Sequence, residues 1–333
     1  VNDWKLSLDQ GKIVGALLMD LSKAFDVIPH GLLLAKMMAY GYGTDTVMLI
    51  RSYLTSRKQR VKIGNARSEW VTTDMGVPQG SVLGPTLFNI FLNDLFFLIN
   101  DAGVTIYNYA DDNTLCYESN SVDDLLNTIN RHGSTMTNWF QSNGMKANPD
   151  KYQTIIFGKQ HAPGDVPNFS VSGITIKSDK SVKLLGILLD DKLSFCHQAA
   201  LICRKAGRQI NAMMRVSRML DTDAKVKVYM SFIYSTFMYC PAVWLFCGKT
   251  HLNQLEKLNC RALRFVYNDY LSTYDALLLK GNHKSIHVIF MHTLAIEVYK
   301  CINGISPQYM STIFQREQHG YSIRSRVNLI QPS

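Results

Sequence analysis

Hydrophobic residues recur along this chain in two rhythms, and the change comes close to residue 190. Positions 13–19 are apolar without a break and stop at Asp20. That pattern predicts a strand buried on both faces with a carboxylate at its carboxyl end, where chemistry tends to be mounted. Positions 104–107 and 113–117 are rich in β-branched and aromatic residues and predict two strands joined by a tight turn at Ala110 and Asp111. Further strands are expected at 153–157, 169–171, 174–176 and 182–189. Helices are expected from Pro29 to about Gly41, at 47–54, at 82–99, and at 122–140 with Ser121 as N-cap and Asp123 and Asp124 in the first turn. Residues 57–63 alternate basic and apolar, turn at Gly64-Asn65 and return through 69–71. They read as a hairpin whose basic face suits a nucleic-acid backbone, although a solvated strand face has the same pattern. Residues 1–12 look like the tail of an amphipathic helix that begins without an N-cap or a methionine, as in a fragment.

After residue 193 the strand signals give way to helical spacings. Arg204, Arg208, Arg215 and Arg218 fall near one helix face, later helices carry Lys257, Arg261 and Arg264, and another is expected at 286–301. The fold class is therefore α+β: an antiparallel sheet with packed helices over 1–190, followed by an all-helical region over 191–333. The charge sharpens this division. Lys and Arg against Asp and Glu number 17 to 18 in residues 1–190 and 18 to 8 in 191–333. A neutral body followed by a basic appendage fits a partner that is a polyanion.

Length and composition (333 residues, 47% hydrophobic, 18% charged) fit a folded two-domain protein with a sizeable core and exclude a disordered chain. Seven cysteines without Cys-x-x-Cys or Cys/His ligand spacing indicate neither a disulfide framework nor a zinc site and read as reduced thiols. With no signal peptide, the expectation is an intracellular protein, neither secreted nor transmembrane. Residues 228–248 carry no charge and are long enough for a membrane span, but Pro241 and scattered hydroxyls favour a buried helix, a turn and a second apolar element.

Adjacent carboxylates at a hairpin tip repel each other unless a cation lies between them, and Mg²⁺ prefers one or two carboxylates plus substrate phosphates. Asp111-Asp112 alone is more often ordinary turn chemistry. Residues 75–81 place glycines and a proline ahead of a helix, which lets backbone approach a ligand and favours phosphate, although a plain loop-to-helix cap would look the same.

Asp20, the Pro78-Gln79-Gly80-Ser81 loop and Tyr109-Ala110-Asp111-Asp112, in this order, resemble the reverse transcriptases of non-LTR (LINE-like) retrotransposons. Asp20-Leu21-Ser22-Lys23-Ala24-Phe25-Asp26 is similar to their first palm motif, residues 76–85 to the second and residues 109–112 to the third. Asn148-Pro149-Asp150-Lys151 and Leu184-Leu185-Gly186 are similar to the fourth and fifth. Residues 239–244 and 255–262 are like the region that follows the polymerase core in Jockey-type elements. The resemblance implies a polymerase palm with partial fingers (the 57–72 hairpin), then a helical thumb. It implies RNA-directed DNA polymerase activity with RNA template, DNA primer and dNTPs as partners and no small-molecule cofactor, in the nucleus or cytoplasm. Protein partners are not implied. Asp20, Asp111 and Asp112 would hold two Mg²⁺ ions, with Mn²⁺ as the alternative. Phe25 would exclude a ribose 2′-hydroxyl, Gln79 and Gly80 would line the nucleotide pocket, and Lys151 would protonate pyrophosphate unless it is simply an exposed turn lysine. Leu185 and Gly186 would form the primer grip, and Arg204, Arg208, Arg215 and Arg218 would hold the duplex backbone. Only nineteen residues precede Asp20, where the family carries more finger segments, and no endonuclease is present, so an N-terminally truncated polymerase is implied. The competing expectations are an inactive remnant or domesticated nucleic-acid-binding module and, with Phe25 against it, an RNA-dependent RNA polymerase.

Overall fold

The long apolar run that ends at Asp20 becomes the second strand of a four-stranded antiparallel sheet. In the computed structural model, which describes residues 1–99, 101–158, 167–244 and 247–311, the sheet contains β1 (Ile13–Met19), β2 (Val104–Tyr109), β3 (Asp112–Ser119) and β4 (Gln153–Phe157). Its order is β4-β1-β3-β2. β1 is laddered on both edges and six of its seven residues are buried, as an unbroken apolar strand requires. The sheet belongs to a unit spanning residues 2–185, and a second unit begins at Gly186. Residues 159–166, between the strands expected at 153–157 and 169–171, lie outside the described residues, as do residues 312–333.

Among the described residues, five α-helices accompany the sheet in the first unit: α1 (Asn2–Asp9), α2 (His30–Ala39), α3 (Thr44–Leu54), α4 (Gly84–Leu92) and α5 (Val122–Ser142). α5 packs directly on β1, and two glycines set the spacing. A Cβ on Gly15 would lie 2.5 Å from Ile129 Cδ1 and 2.6 Å from Leu125 Cδ2, and a Cβ on Gly133 would lie 2.6 Å from Leu17 Cδ2. Interiors this close-packed do not absorb extra methyl groups. Gly15→Val or Gly133→Val is therefore expected to destabilise the first unit by about 1–3 kcal/mol in urea unfolding, and parental stability in both variants would refute this packing. The hairpin Asn168–Val171/Ile174–Lys177 closes over α5, with Ser170 and Ser172 donating backbone N–H groups to Asn130 Oδ1 and Ser134 Oγ.

Two local expectations are corrected, and a third, the N-cap at Ser121, holds with a different bonding pattern. The apolar stretch 82–99 is not one helix: α4 starts at Gly84 and stops at Leu92, and a 3₁₀ turn follows over Asn93–Phe97. Buried Lys36 explains the change. Its Nζ donates to the Phe91 carbonyl (2.9 Å) and to Asp94 (2.6 Å), giving that carbonyl a partner other than the next helical turn. Burial lowers the Lys36 pKa against the opposing pull of Asp94. The stretch 182–189 is two strands, Ser181–Leu184 and Ile187–Asp190, because Leu185 (φ 46°) and Gly186 (φ 82°) turn the chain through the left-handed region. Ser121 holds the N-cap position of α5 without a side-chain cap. Its backbone N–H donates to Ser119 Oγ, which in turn donates to Asp124.

In the second unit, every described element after Asp190 is helical. The Asp190 carboxylate accepts the backbone N–H groups of Lys192, Ser194 and Phe195 and shapes the entry to helix Cys196–Val216. Among its described residues, the uncharged stretch 228–248 is cut into short pieces: Tyr229–Tyr234 is π-helical, Ser235–Phe237 α-helical, Cys240 turns at φ 48°, and Pro241–Trp244 resumes. Residues 245–246 lie outside the described residues. Among the described residues no helix is long and apolar enough to cross a membrane. All seven cysteines are free thiols.

Candidate active site at the carboxyl end of the central strand

Strand register assembles the site. β1 pairs with β3 so that Met19 faces Asn113, and with β4 so that Leu18 faces Gln153. Continuing each antiparallel register beyond the strand ends sets Asp20 against Asp112 on one side and Lys151 on the other. The side chains follow: Lys151 Nζ lies 3.7 Å from Asp20 Oδ2, both well exposed. Just past Asp20, Leu21–Ser22 pairs with Lys146–Ala147, which leads the 3₁₀ turn Pro149–Lys151 to this edge.

Asp111 and Asp112 arrive on the expected hairpin. Tyr109 faces Asp112, and Ala110 (φ 53°) and Asp111 make a two-residue turn. A pair of asparagines braces it, which sequence reasoning missed. Asn108 and Asn113 face each other across β2 and β3. Asn108 Nδ2 donates to the Ala110 carbonyl (2.9 Å) and to Asn113 Oδ1 (2.9 Å), and Asn113 Nδ2 donates to the Asp111 carbonyl (3.0 Å). Asn113 is 1% exposed, so its amide is committed to this brace, since a buried amide without partners is costly. The available signal was an asparagine on each side of a four-residue turn sequence.

Among the described residues no three His, Cys, Asp or Glu side chains form a ready metal cage. Asp112 nevertheless senses the other two acids. Neighbouring atoms strip water from the Asp112 carboxyl even though the residue's surface is open, and this, followed by the charges of Asp111 and Asp20, raises its pKa. A raised carboxyl pKa means the folded state holds the proton more tightly than the unfolded chain. Asp112 thus favours folding at acid pH, and that contribution is lost as pH climbs through its raised pKa. Without divalent cations, Asp112→Asn is expected to raise stability at pH 7 by about 0.2–1 kcal/mol, the scale of opposed like charges across a sheet, and to have less effect near pH 4. Thermal unfolding at both pH values checks this, and equal shifts would refute it.

The glycine-rich segment is laced to the chain just after Asp20. Gly76 N–H donates to the Ile28 carbonyl and Val77 N–H to the Phe25 carbonyl, each at 2.8 Å. The His30 ring Nε2 meets the Gly76 carbonyl at 2.7 Å. Gly76 (φ 82°) has no room for a side chain, because a Cβ would stand 2.7 Å from the Asp26 carbonyl oxygen. Exposed Gln79 donates from Nε2 to Asp26 Oδ1 (2.9 Å), a partner the sequence reading did not name. Gly80 (φ 76°) lies in open space. The Phe25 ring stacks on Phe88 of α4 at 4.3 Å and 21°. The site residues thus form two groups, Asp20 with Asp111, Asp112 and Lys151, and Phe25 with Gln79 and Asp26, joined by the short chain from Asp20 to Phe25.

In the second unit, Gly186 lies against the ring of Tyr239, 3.3 Å from where its Cβ would be. Arg204, Arg208 and Arg215 lie on the exposed face of helix Cys196–Val216, opposite buried Ile202, Ala206, Ile210 and Met213. Arg218 is exposed but sits in the 3₁₀ turn Ser217–Met219, where the α-helical spacing used to group it with the others no longer applies. Arg261 is tied to Asn211.

Residues 5–189 match the family described as reverse transcriptase (RNA-dependent DNA polymerase). The RNA-directed DNA polymerase from mobile element jockey of Drosophila melanogaster is 28% identical over 79% of this chain and 29% of its own length. The probable RNA-directed DNA polymerase from transposon BS of the same fly is 28% identical over 78% of this chain and 30% of its own. This chain therefore spans under a third of those relatives' length. Among solved structures, telomerase from Candida Tropicalis with the TWJ fragment of telomeric RNA aligns at 11% identity over 83% of this chain and 50% of that one, with a TM-score of 0.42.

Proposed function

We propose that this chain, which belongs to the reverse transcriptase (RNA-dependent DNA polymerase) family, carries the nucleotidyl-transfer site of an RNA-directed DNA polymerase of the non-LTR retrotransposon kind. It would extend a DNA primer on an RNA template with dNTPs. The observation that supports this most is the convergence of Asp20 with the Asp111-Asp112 turn, where desolvation, followed by the charges of Asp111 and Asp20, raises the Asp112 pKa. That donor set fits hard divalent cations, whose charge would relieve the repulsion. Asp20, Asp111 and Asp112 would hold a pair of Mg²⁺ ions, or Mn²⁺, which when bound neutralise the triphosphate and activate the primer 3′-hydroxyl.

The remaining roles belong to the chain's own groups. Lys151, beside Asp20, holds a proton at Nζ and can pass it to the departing pyrophosphate. Phe25, backed by Phe88, presents a fixed ring edge to the sugar. Gln79, oriented by Asp26, and Gly80, whose backbone carries no side chain, line the incoming nucleotide. The Leu185-Gly186 turn positions the primer, and Arg204, Arg208, Arg215 and Arg218 meet backbone phosphates.

Primer extension with dNTPs on an RNA template, with and without Mg²⁺, tests the reading. Template-directed extension that needs the cation is the expected result. Salt-sensitive binding to an RNA–DNA duplex with no extension under any condition would replace the reading with that of a nucleic-acid-binding remnant.

A further inference from the structure

The hairpin between the glycine-rich segment and the first acid takes no part in the site described above. Every residue from 57 to 72 is exposed, so the arm is held by its own ladder: Lys58–Gln59 with Val71–Thr72 and Lys62–Ile63 with Ala66–Arg67. Alternate strand residues share a face, as do residues directly opposite. Along the outgoing strand Lys58, Arg60 and Lys62 alternate onto one face, which Arg67 joins opposite Lys62, while Val61 and Ile63 fall on the other. The 58–59/71–72 ladder is one residue out of step with the 62–63/66–67 ladder, so the return strand does not alternate continuously. Two details of the basic face are unusual for a merely solvated arm. Lys62 and Arg67 stand directly opposite each other, a like-charge pairing that weakens a sheet, and among the described residues no ion pair engages either of them. Trp70 is 56% exposed, with the Arg60 guanidinium 4.4 Å from its ring centroid. Five basic residues against one acid, Glu69, lie within 57–72.

We infer that this face binds an unpaired nucleic-acid strand, with a base stacked on Trp70 and backbone phosphates at Lys58, Lys62 and Arg67. A polyanion placed there removes the Lys62–Arg67 repulsion, and an exposed indole beside a guanidinium offers the sequence-tolerant stacking platform that single strands use. A duplex would bring phosphates but no open base face. The inference deepens the polymerase reading and rests on it only for the identity of the strand as template.

The other three tryptophans, Trp4, Trp139 and Trp244, are buried, so Trp70 is the indole a bound base can reach, and a loss of tryptophan emission on strand binding reports it. Titrating the full chain with oligouridylate or oligothymidylate should quench that emission, and the two titrations separate an RNA from a DNA strand. Trp70→Leu should abolish the quench and weaken binding about 5- to 150-fold, the range for loss of one base–aromatic stack. Replacing Lys58, Lys62 and Arg67 together by Gln should flatten the log–log salt dependence by about 2, at ~0.7 per single-strand phosphate contact. The arm is exposed throughout, so these variants leave the fold intact, and unchanged thermal unfolding confirms it. Parental affinity in Trp70→Leu would overturn the inference, as would quenching of equal strength by duplex or by polyglutamate. Primer extension run in parallel separates the failures: extension without strand binding at the arm overturns this inference alone, and binding without extension overturns the polymerase reading alone.

Discussion

Asp111→Asn and Asp20→Asn should each cut Mg²⁺-dependent primer extension by about a thousandfold or more, while binding to an RNA–DNA duplex stays near the parental value. Asparagine keeps the size and one oxygen of the side chain but removes the charge. On the proposed reading, the charge is what would draw a cation to the end of β1, where Asp20 and the turn after β2 meet. Lewis-acid stabilisation of a transferring phosphoryl group is worth several kcal/mol, and each ~1.4 kcal/mol is tenfold in rate. Asp112→Asn should lose less, about 10- to 100-fold, as for a group that supports ligands rather than serving as the main one. It is also the variant expected to gain stability without cations, because its carboxyl is partly desolvated and faces the charges of Asp111 and Asp20. Rapid-quench extension assays, paired with thermal unfolding of each variant, separate chemistry from folding. If Asp111→Asn kept a tenth or more of parental activity, the turn would not be the catalytic site.

How well the sequence foretold this arrangement depended on whether information was local. β1 was legible because a strand buried on both faces must be apolar throughout, and the Ala110-Asp111 turn because flanking β-branched and aromatic residues leave a two-residue gap. The Asn108–Asn113 brace was not legible as such. Polar residues beside a turn are common, and only the cross-strand register shows that the two amides meet. The break of 82–99 was hidden for a related reason. Its cause, Lys36, lies far away in the chain on α2 and reaches the Phe91 carbonyl only in the folded unit. The turn at 185–186 was obscured by apolar residues on both sides, with Leu185 in a left-handed conformation that leucine seldom adopts. Arg218 fell to the end of a helix, where spacing arguments fail. Lys151 was placed correctly at a turn, yet its distance to Asp20 came from the pairing of Leu21–Ser22 with Lys146–Ala147, two residues on each side that carry no strand signal.

Phe25→Val should erase most of the preference for dNTPs over rNTPs, lowering it from about a hundredfold toward parity, with dNTP extension retained. An apolar plate rejects an added hydroxyl by ~10²-fold at most, so that is the ceiling for this residue acting alone. The stack on Phe88 is what makes the ring a fixed obstacle: at 4.3 Å and 21° it cannot swing aside without losing its own packing. Phe25 is only half buried, so its removal should cost less than the ~3–5 kcal/mol typical of a fully buried phenylalanine, and the variant should fold. Phe88→Leu is the informative partner. It touches no nucleotide in this arrangement, yet by loosening the Phe25 ring it should lower discrimination part of the way. Competition between a dNTP and its ribonucleotide at one template position measures the ratio directly. If both variants lost stability but kept the parental ratio, Phe25 would be a core residue only, and sugar selection would have to come from elsewhere in the nucleotide pocket.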